Sequence, residues 1–134
     1  MASFDRSIWH CVTTLEKFDE NGDLYEHRVI YGNLLVTVGL QLLEDLLVGA
    51  GGTVFNNANA RIGVGDSSVA AAVGQTDLQA ATNKFRRVME ATFPSRSATT
   101  LSFKGSFATG EANFAWNEWG IFNSASGATM LNRK

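Results

Sequence analysis

Glu111 and Glu118 lie in an aromatic stretch that includes Trp116 and Trp119. Two carboxylates beside aromatic platforms are the parts that glycoside hydrolysis uses. The two acids fall on opposite faces of one strand and its leading turn, roughly 20 Å apart by strand rise. That separation is too large for either the retaining or the inverting geometry. Glu118 reads instead as a partly buried carboxylate between two tryptophans, a charge that persists only when paired. Its candidate partners are Arg61, Arg86, Arg87 and Arg133, in an ion pair that locks the sheet or a subunit contact.

Three other groups invite chemical readings. Gly63-Val-Gly65-Asp66-Ser67-Ser68 has the look of a phosphate loop, but it has neither the lysine of a P-loop nor the third glycine of a dinucleotide fingerprint. A tight turn at a strand end accounts for its glycines. Asp19-Glu-Asn-Gly-Asp23 is calcium-like in composition, yet Gly22 precedes Asp23 where an EF-hand needs glycine after the third ligand. A hairpin turn is the better reading. His10, Cys11 and His27 are zinc-ligand types, but in that hairpin Cys11 faces away from His27, and His10 lies far along the strand. No catalytic, cofactor-binding or metal-binding residue is assigned, no cofactor is expected, and the chain is read as a non-enzyme.

The elements that position these residues belong to one domain of 134 residues. Hydrophobic residues at 45% against 18% charged exclude a disordered chain, and thirteen glycines with one proline imply many turns between short elements. The net charge of −2, with Lys84, Arg86 and Arg87 as the densest basic group, argues against a nucleic-acid partner. A lone Cys11 allows no intramolecular disulfide, which implies folding in the cytoplasm. Met1-Ala-Ser-Phe-Asp-Arg has no apolar signal core. The longest apolar run, Leu34 to Val48, is interrupted by Thr37, Gly39, Gln41, Glu44 and Asp45, so no membrane role is expected.

Residues 7–32 are expected to form a β-hairpin arm around a two-residue Asn21-Gly22 turn. That register sets Phe18 opposite Tyr25, Lys17 opposite Glu26, Glu16 opposite His27, Thr14 opposite Val29 and Val12 opposite Tyr31. A ribbon with polar groups on both faces near its tip is expected to project. The spacing of Leu35, Val38, Leu42 and Leu46 predicts a core helix over 33–48, capped by Asn33 and stopped at Gly49. Residues 60–134 form a β-rich body: a strand over 60–66, an exposed small-residue loop from Ser67 to Gly74, and a strand over 84–93. An amphipathic strand follows from Leu101 to Phe107, and then a central strand with Phe114, Trp116 and Glu118 on one face. Met130 and Leu131 lie in the last strand, which makes the terminus a structural member. The fold class is α+β, mainly β: an antiparallel sandwich or meander with one core helix and a projecting N-terminal hairpin.

The order of motifs is itself informative. A helix ending in Leu-Leu is followed by Gly63-Val-Gly-Asp66, Gln75-Thr-Asp-Leu78, an amphipathic strand, Glu118-Trp-Gly-Ile-Phe122 and Leu131-Asn-Arg133. Over Asn33 to Arg133 this progression resembles the attachment domain of tailed-phage collar fibres, with their Gly-Asp-Gly, Thr-x-Leu and Glu-x-Gly-Leu-Phe motifs. Ser67 stands where a glycine is usual, and no shaft or receptor-binding region is present.

The resemblance implies a free-standing virion component made in the host cytoplasm, tail- or baseplate-associated, or alternatively a capsid decoration protein. Its partners would be copies of itself, most simply as a trimer, and other virion proteins. The expected interface residues are Phe18, Tyr25, Tyr31, Trp116, Glu118, Trp119, Phe122 and Arg133, because aromatics carry most interface energy. A carbohydrate-binding module that displays Trp116 and Trp119 is the competing reading.

Overall fold

The computed structural model describes residues 9–134. The expected start of the arm at residues 7 and 8, and the N-terminal stretch 1–6 searched for a signal, lie outside them. The chain is α+β and mainly β, with one helix and antiparallel sheets, as expected. It divides into two compact units, with the boundary after Asn33.

The first unit contains the hairpin of β1 (Val12–Phe18) and β2 (Leu24–Tyr31). From Val12 opposite Tyr31 to Lys17 opposite Glu26 the register is the predicted one. It then slips, and Phe18 meets Leu24 instead of Tyr25. The cause is the loop chemistry. Asp19 closes the turn from three sides: its carbonyl accepts the Gly22 N–H, and its carboxylate accepts those of Asn21 and Asp23. Only Gly22 takes a positive φ, of 84°, so the connection is a three-residue loop ending in a left-handed glycine, and the predicted two-residue turn is not formed.

The second unit is built on a five-stranded antiparallel sheet in the order β3-β9-β8-β4-β5. Its strands are β3 (Leu34–Leu35), β4 (Arg61–Gly65), β5 (Lys84–Val88), β8 (Glu118–Phe122) and β9 (Met130–Arg133). A small separate ribbon joins β6 (Ser95–Ser97) to β7 (Thr100–Ser102). The helix α1 runs over Thr37–Val48, four residues later than the sequence suggested. Leu34 and Leu35, read as the start of its apolar stripe, pair instead with Arg133 and Asn132. Asn33 does not cap the helix; its side chain accepts the Trp9 indole N–H at 2.7 Å. The first helical N–H, on Thr37, is satisfied by the carbonyl of Val73. Gly49 ends the helix in the left-handed conformation, as predicted.

Two predicted strands shrink. The 84–93 segment leaves the sheet after Val88 and turns through Thr92 at a φ of 71°. The stretch from Phe103 to Asn117 is irregular, so the amphipathic strand survives only as Thr100–Ser102 and the aromatic strand begins at Glu118. Its alternating aromatics pack across the sheet in place of adding a strand: Phe107 lies 6.0 Å from Phe85 and 4.6 Å from Trp116, and Phe103 meets Phe55 edge-on at 6.5 Å. Two tight turns, from Ala108 to Glu111 and from Ala112 to Phe114, divert the backbone.

The opposite face of the sheet forms the core. Val36, Leu78, Phe122 and Met130 are its buried centre, with Val38 and Ala128 against it. Close approach between layers depends on missing side chains. A Cβ on Gly39 would lie 2.3 Å from the Leu131 carbonyl oxygen, so the helix sits on β9 as only glycine allows.

Candidate functional site

Strand alternation places Gly63, Gly65, Glu118, Gly120, Phe122 and Arg133 on the core face, aligned through the pairings of Gly63 with Gly120, Gly65 with Glu118, and Gly120 with Arg133. The glycines of the Gly-Val-Gly motif lie inside β4, not at a strand-end turn. They leave room for their neighbours: a Cβ on Gly63 would fall 2.5 Å from the Phe122 ring, and one on Gly65 2.4 Å from a Glu118 carboxylate oxygen. The motif is a packing surface, and no phosphate reading is needed.

Glu118 and Arg133 are both fully buried and form the ion pair anticipated for one of four arginines. Glu118 Oε2 accepts from Arg133 Nε and Nη2, each at 2.7 Å, and from the Gln79 N–H at 2.8 Å. Its Oε1 accepts the Ala80 N–H at 2.7 Å. Arg133 also donates to Gln75 Oε1 at 3.0 Å and to the Val69 carbonyl at 2.8 Å. Gln75 in turn accepts the Ala72 N–H and donates to the Ala70 carbonyl. The pair therefore pins the 69–80 loop onto the sheet. Burying two charges is repaid only when their remaining hydrogen-bonding positions are filled, and here they are.

Glu111 is not its catalytic partner. It is tied to Arg87 at 2.8 Å and to the Ala108 N–H, on the irregular segment. Trp116 is half-buried against Phe107 and donates its indole N–H to the Ala112 carbonyl, while Trp119 is half-buried on β8 opposite Val64. Of the expected interface residues, Glu118, Phe122 and Arg133 are wholly inside the subunit and present no surface to a partner. Phe122 is covered by the Arg86 guanidinium, 3.9 Å from its ring centre.

The arm behaves differently. Phe18, Tyr25 and Tyr31 are 55, 65 and 74% exposed, and Val12, Leu24 and Val29 are exposed with them. Cross-strand alternation puts Val12, Val29 and Tyr31 on one face, with Thr14 between and the Glu16–His27 pair nearer the tip. Thr13, Leu15 and Ile30 form the half-buried face. Lys17 bonds Glu26 at 2.7 Å and holds that carboxyl below its usual range.

One further feature escaped sequence reading. Beside β5 a shallow cleft of about 300 Å³ is lined by Asp77, Leu78, Lys84, Phe85, Arg86 and Ala125. Asp77 accepts from Lys84 at 3.0 Å, Arg86 at 2.9 Å and the Leu78 N–H at 2.8 Å. Partial burial opposes its ionisation, but these donors prevail and lower its pKa. In the sequence the Lys84–Arg86–Arg87 cluster argues against a nucleic-acid partner and offers Arg86 and Arg87 to Glu118, whereas in the structure Arg86 and Lys84 pair with Asp77.

Among the described residues no group of three or more His, Cys, Asp and Glu is placed to hold a metal ion. No helix among the described residues is long and apolar enough to cross a membrane. No protein-family model matches the chain, and neither the curated proteins nor the solved structures searched give a match.

Proposed function

We propose that this chain is a non-enzymatic structural protein of a tailed-phage virion, associated with the tail or baseplate, that assembles as a homo-oligomer, most simply a trimer. The observation that carries the assembly reading is the arm: six large apolar residues stand exposed on a two-stranded ribbon that forms its own unit. Exposed apolar groups gathered on one element mark an interaction surface, and aromatics supply most of the energy of such surfaces. The body supports the same reading, since its two buried charged residues, Glu118 and Arg133, hold a loop in place. The virion context rests on the ordered motifs from the helix to Leu131-Asn-Arg133.

Light scattering on the purified full chain tests assembly, and co-sedimentation with tail and with capsid proteins of a phage encoding it tests context. An oligomer that binds tail or baseplate protein is the expected result. A monomer at every concentration, binding neither, contradicts the proposal. An oligomer that binds capsid protein alone places it on the shell instead.

A further inference from the structure

We infer that the arm tip of one copy docks in the cleft beside β5 of a second copy, an inference that rests on the homo-oligomeric reading above. Charge is divided unevenly between the two units. Between residues 9 and 33 there are five carboxylates, Glu16, Asp19, Glu20, Asp23 and Glu26, against Lys17 and Arg28. Three of those acids lie in the hairpin loop, next to the exposed Phe18, Leu24 and Tyr25. The tip is therefore apolar and acidic together. The cleft has the complementary character: Leu78 and Ala125 provide apolar lining, and Lys84 and Arg86 provide cations. Among the described residues those two cations share the single carboxylate of Asp77, which leaves one positive charge at the cleft without a second carboxylate.

Geometry adds to charge. β5 is an edge of the five-stranded sheet, bonded to β4 on one side only, and edge strands are where a further extended segment joins. The cleft accepts a side chain of aromatic size, and an aromatic ring beside Arg86 and Lys84 gains from cation–π attraction. Contact between two arm tips would instead set like charges against each other. The interface is then heterologous, arm to body, the type that closes into a ring when the rotation allows.

Mixing two variants of the full chain decides the matter. Phe18→Ser/Tyr25→Ser removes the tip's anchors and leaves the cleft intact. Lys84→Gln/Ala125→Glu makes the cleft acidic and leaves the arm intact, with Ala125→Lys as a fold-matched control that keeps the positive charge. Far-UV circular dichroism and melting confirm that each variant folds.

Each double variant alone is expected to lose self-association by about tenfold or more, the Ala125→Lys control to keep it, and an equimolar mixture of the two double variants to form a mixed dimer by light scattering. If the cleft variant associates like wild type, or the mixture stays monomeric, the arm-to-cleft contact is overturned while homo-oligomerisation stands. If wild type is itself monomeric, both readings fall. Should the cleft variant not fold, Glu20→Cys at the tip and Ala125→Cys at the cleft, in a Cys11→Ser background, provide the alternative readout. Intermolecular disulfide between the two positions supports the contact, and disulfide only between like positions overturns it.

Discussion

Glu118 and Arg133 face each other across adjacent strands with no solvent contact, and every polar atom of the pair has a partner. Neither is available to substrate or to another subunit. The pair joins β8, β9 and the 69–80 loop into one unit. Glu118→Gln leaves the Arg133 charge buried and unpaired, and is expected to cost roughly 3–5 kcal/mol in urea unfolding. Adding Arg133→Met to that background is expected to recover part of the loss, because the uncompensated charge goes. A double variant as unstable as the sum of its parts would show that the two residues act independently.

Gly39 sets two local effects against each other. Alanine is the better helix former by about 1 kcal/mol, but its Cβ would fall 2.3 Å from a backbone oxygen of β9, which cannot swing aside. The clash wins, and Gly39→Ala is expected to destabilise by roughly 1–3 kcal/mol. Gly74, with open space where a Cβ would go, serves as the contrast. Gly74→Ala is expected to change the unfolding free energy by no more than about 0.5 kcal/mol.

Acid sensitivity follows from Asp77 and Glu90, whose carboxyls both titrate below their ordinary values. Asp77 is lowered, against partial burial, by Lys84 and Arg86; Glu90 is lowered by the Ser106 hydroxyl and then by Lys104. A carboxyl whose folded pKa is depressed contributes stability that is complete above its unfolded value and is lost as pH falls through the folded one. Stability is therefore expected to be level near neutrality and to decline below about pH 4. In Asp77→Asn part of that decline disappears, and stability near neutrality is lower. A melting temperature that depends on acid identically in both proteins would remove Asp77 from the account.

Legibility of the fold tracked the range of the interactions involved. The hairpin register could be read from Val12 to Lys17 because cross-strand pairs are local, and it slipped at Phe18 because Asp19 captures three N–H groups and lengthens the loop. The helix stop at Gly49 is a backbone property of one residue, whereas its start at Thr37 depends on Val73 and on β9, both distant in sequence. Arg133 was one of four arginines available to Glu118, and only the β8–β9 register selects it. The aromatic alternation from Phe103 to Trp116 mimics a strand, yet it serves a layer packed over Phe85. The β5 cleft depends on Asp77 reaching Lys84 and Arg86 across a turn, a juxtaposition that spacing alone does not reveal.

In the proposed assembly the arm makes the contacts between copies and the body folds independently of them. Its most direct test is the molar mass of the full chain and of Phe18→Ser/Tyr25→Ser/Tyr31→Ser by light scattering over a wide concentration range, with a thermal melt of each. The expected result is an oligomer for the natural sequence and a monomer for the triple variant, with the melt of the body retained. A natural chain that is monodisperse and monomeric throughout, or a triple variant that associates just as well, contradicts it.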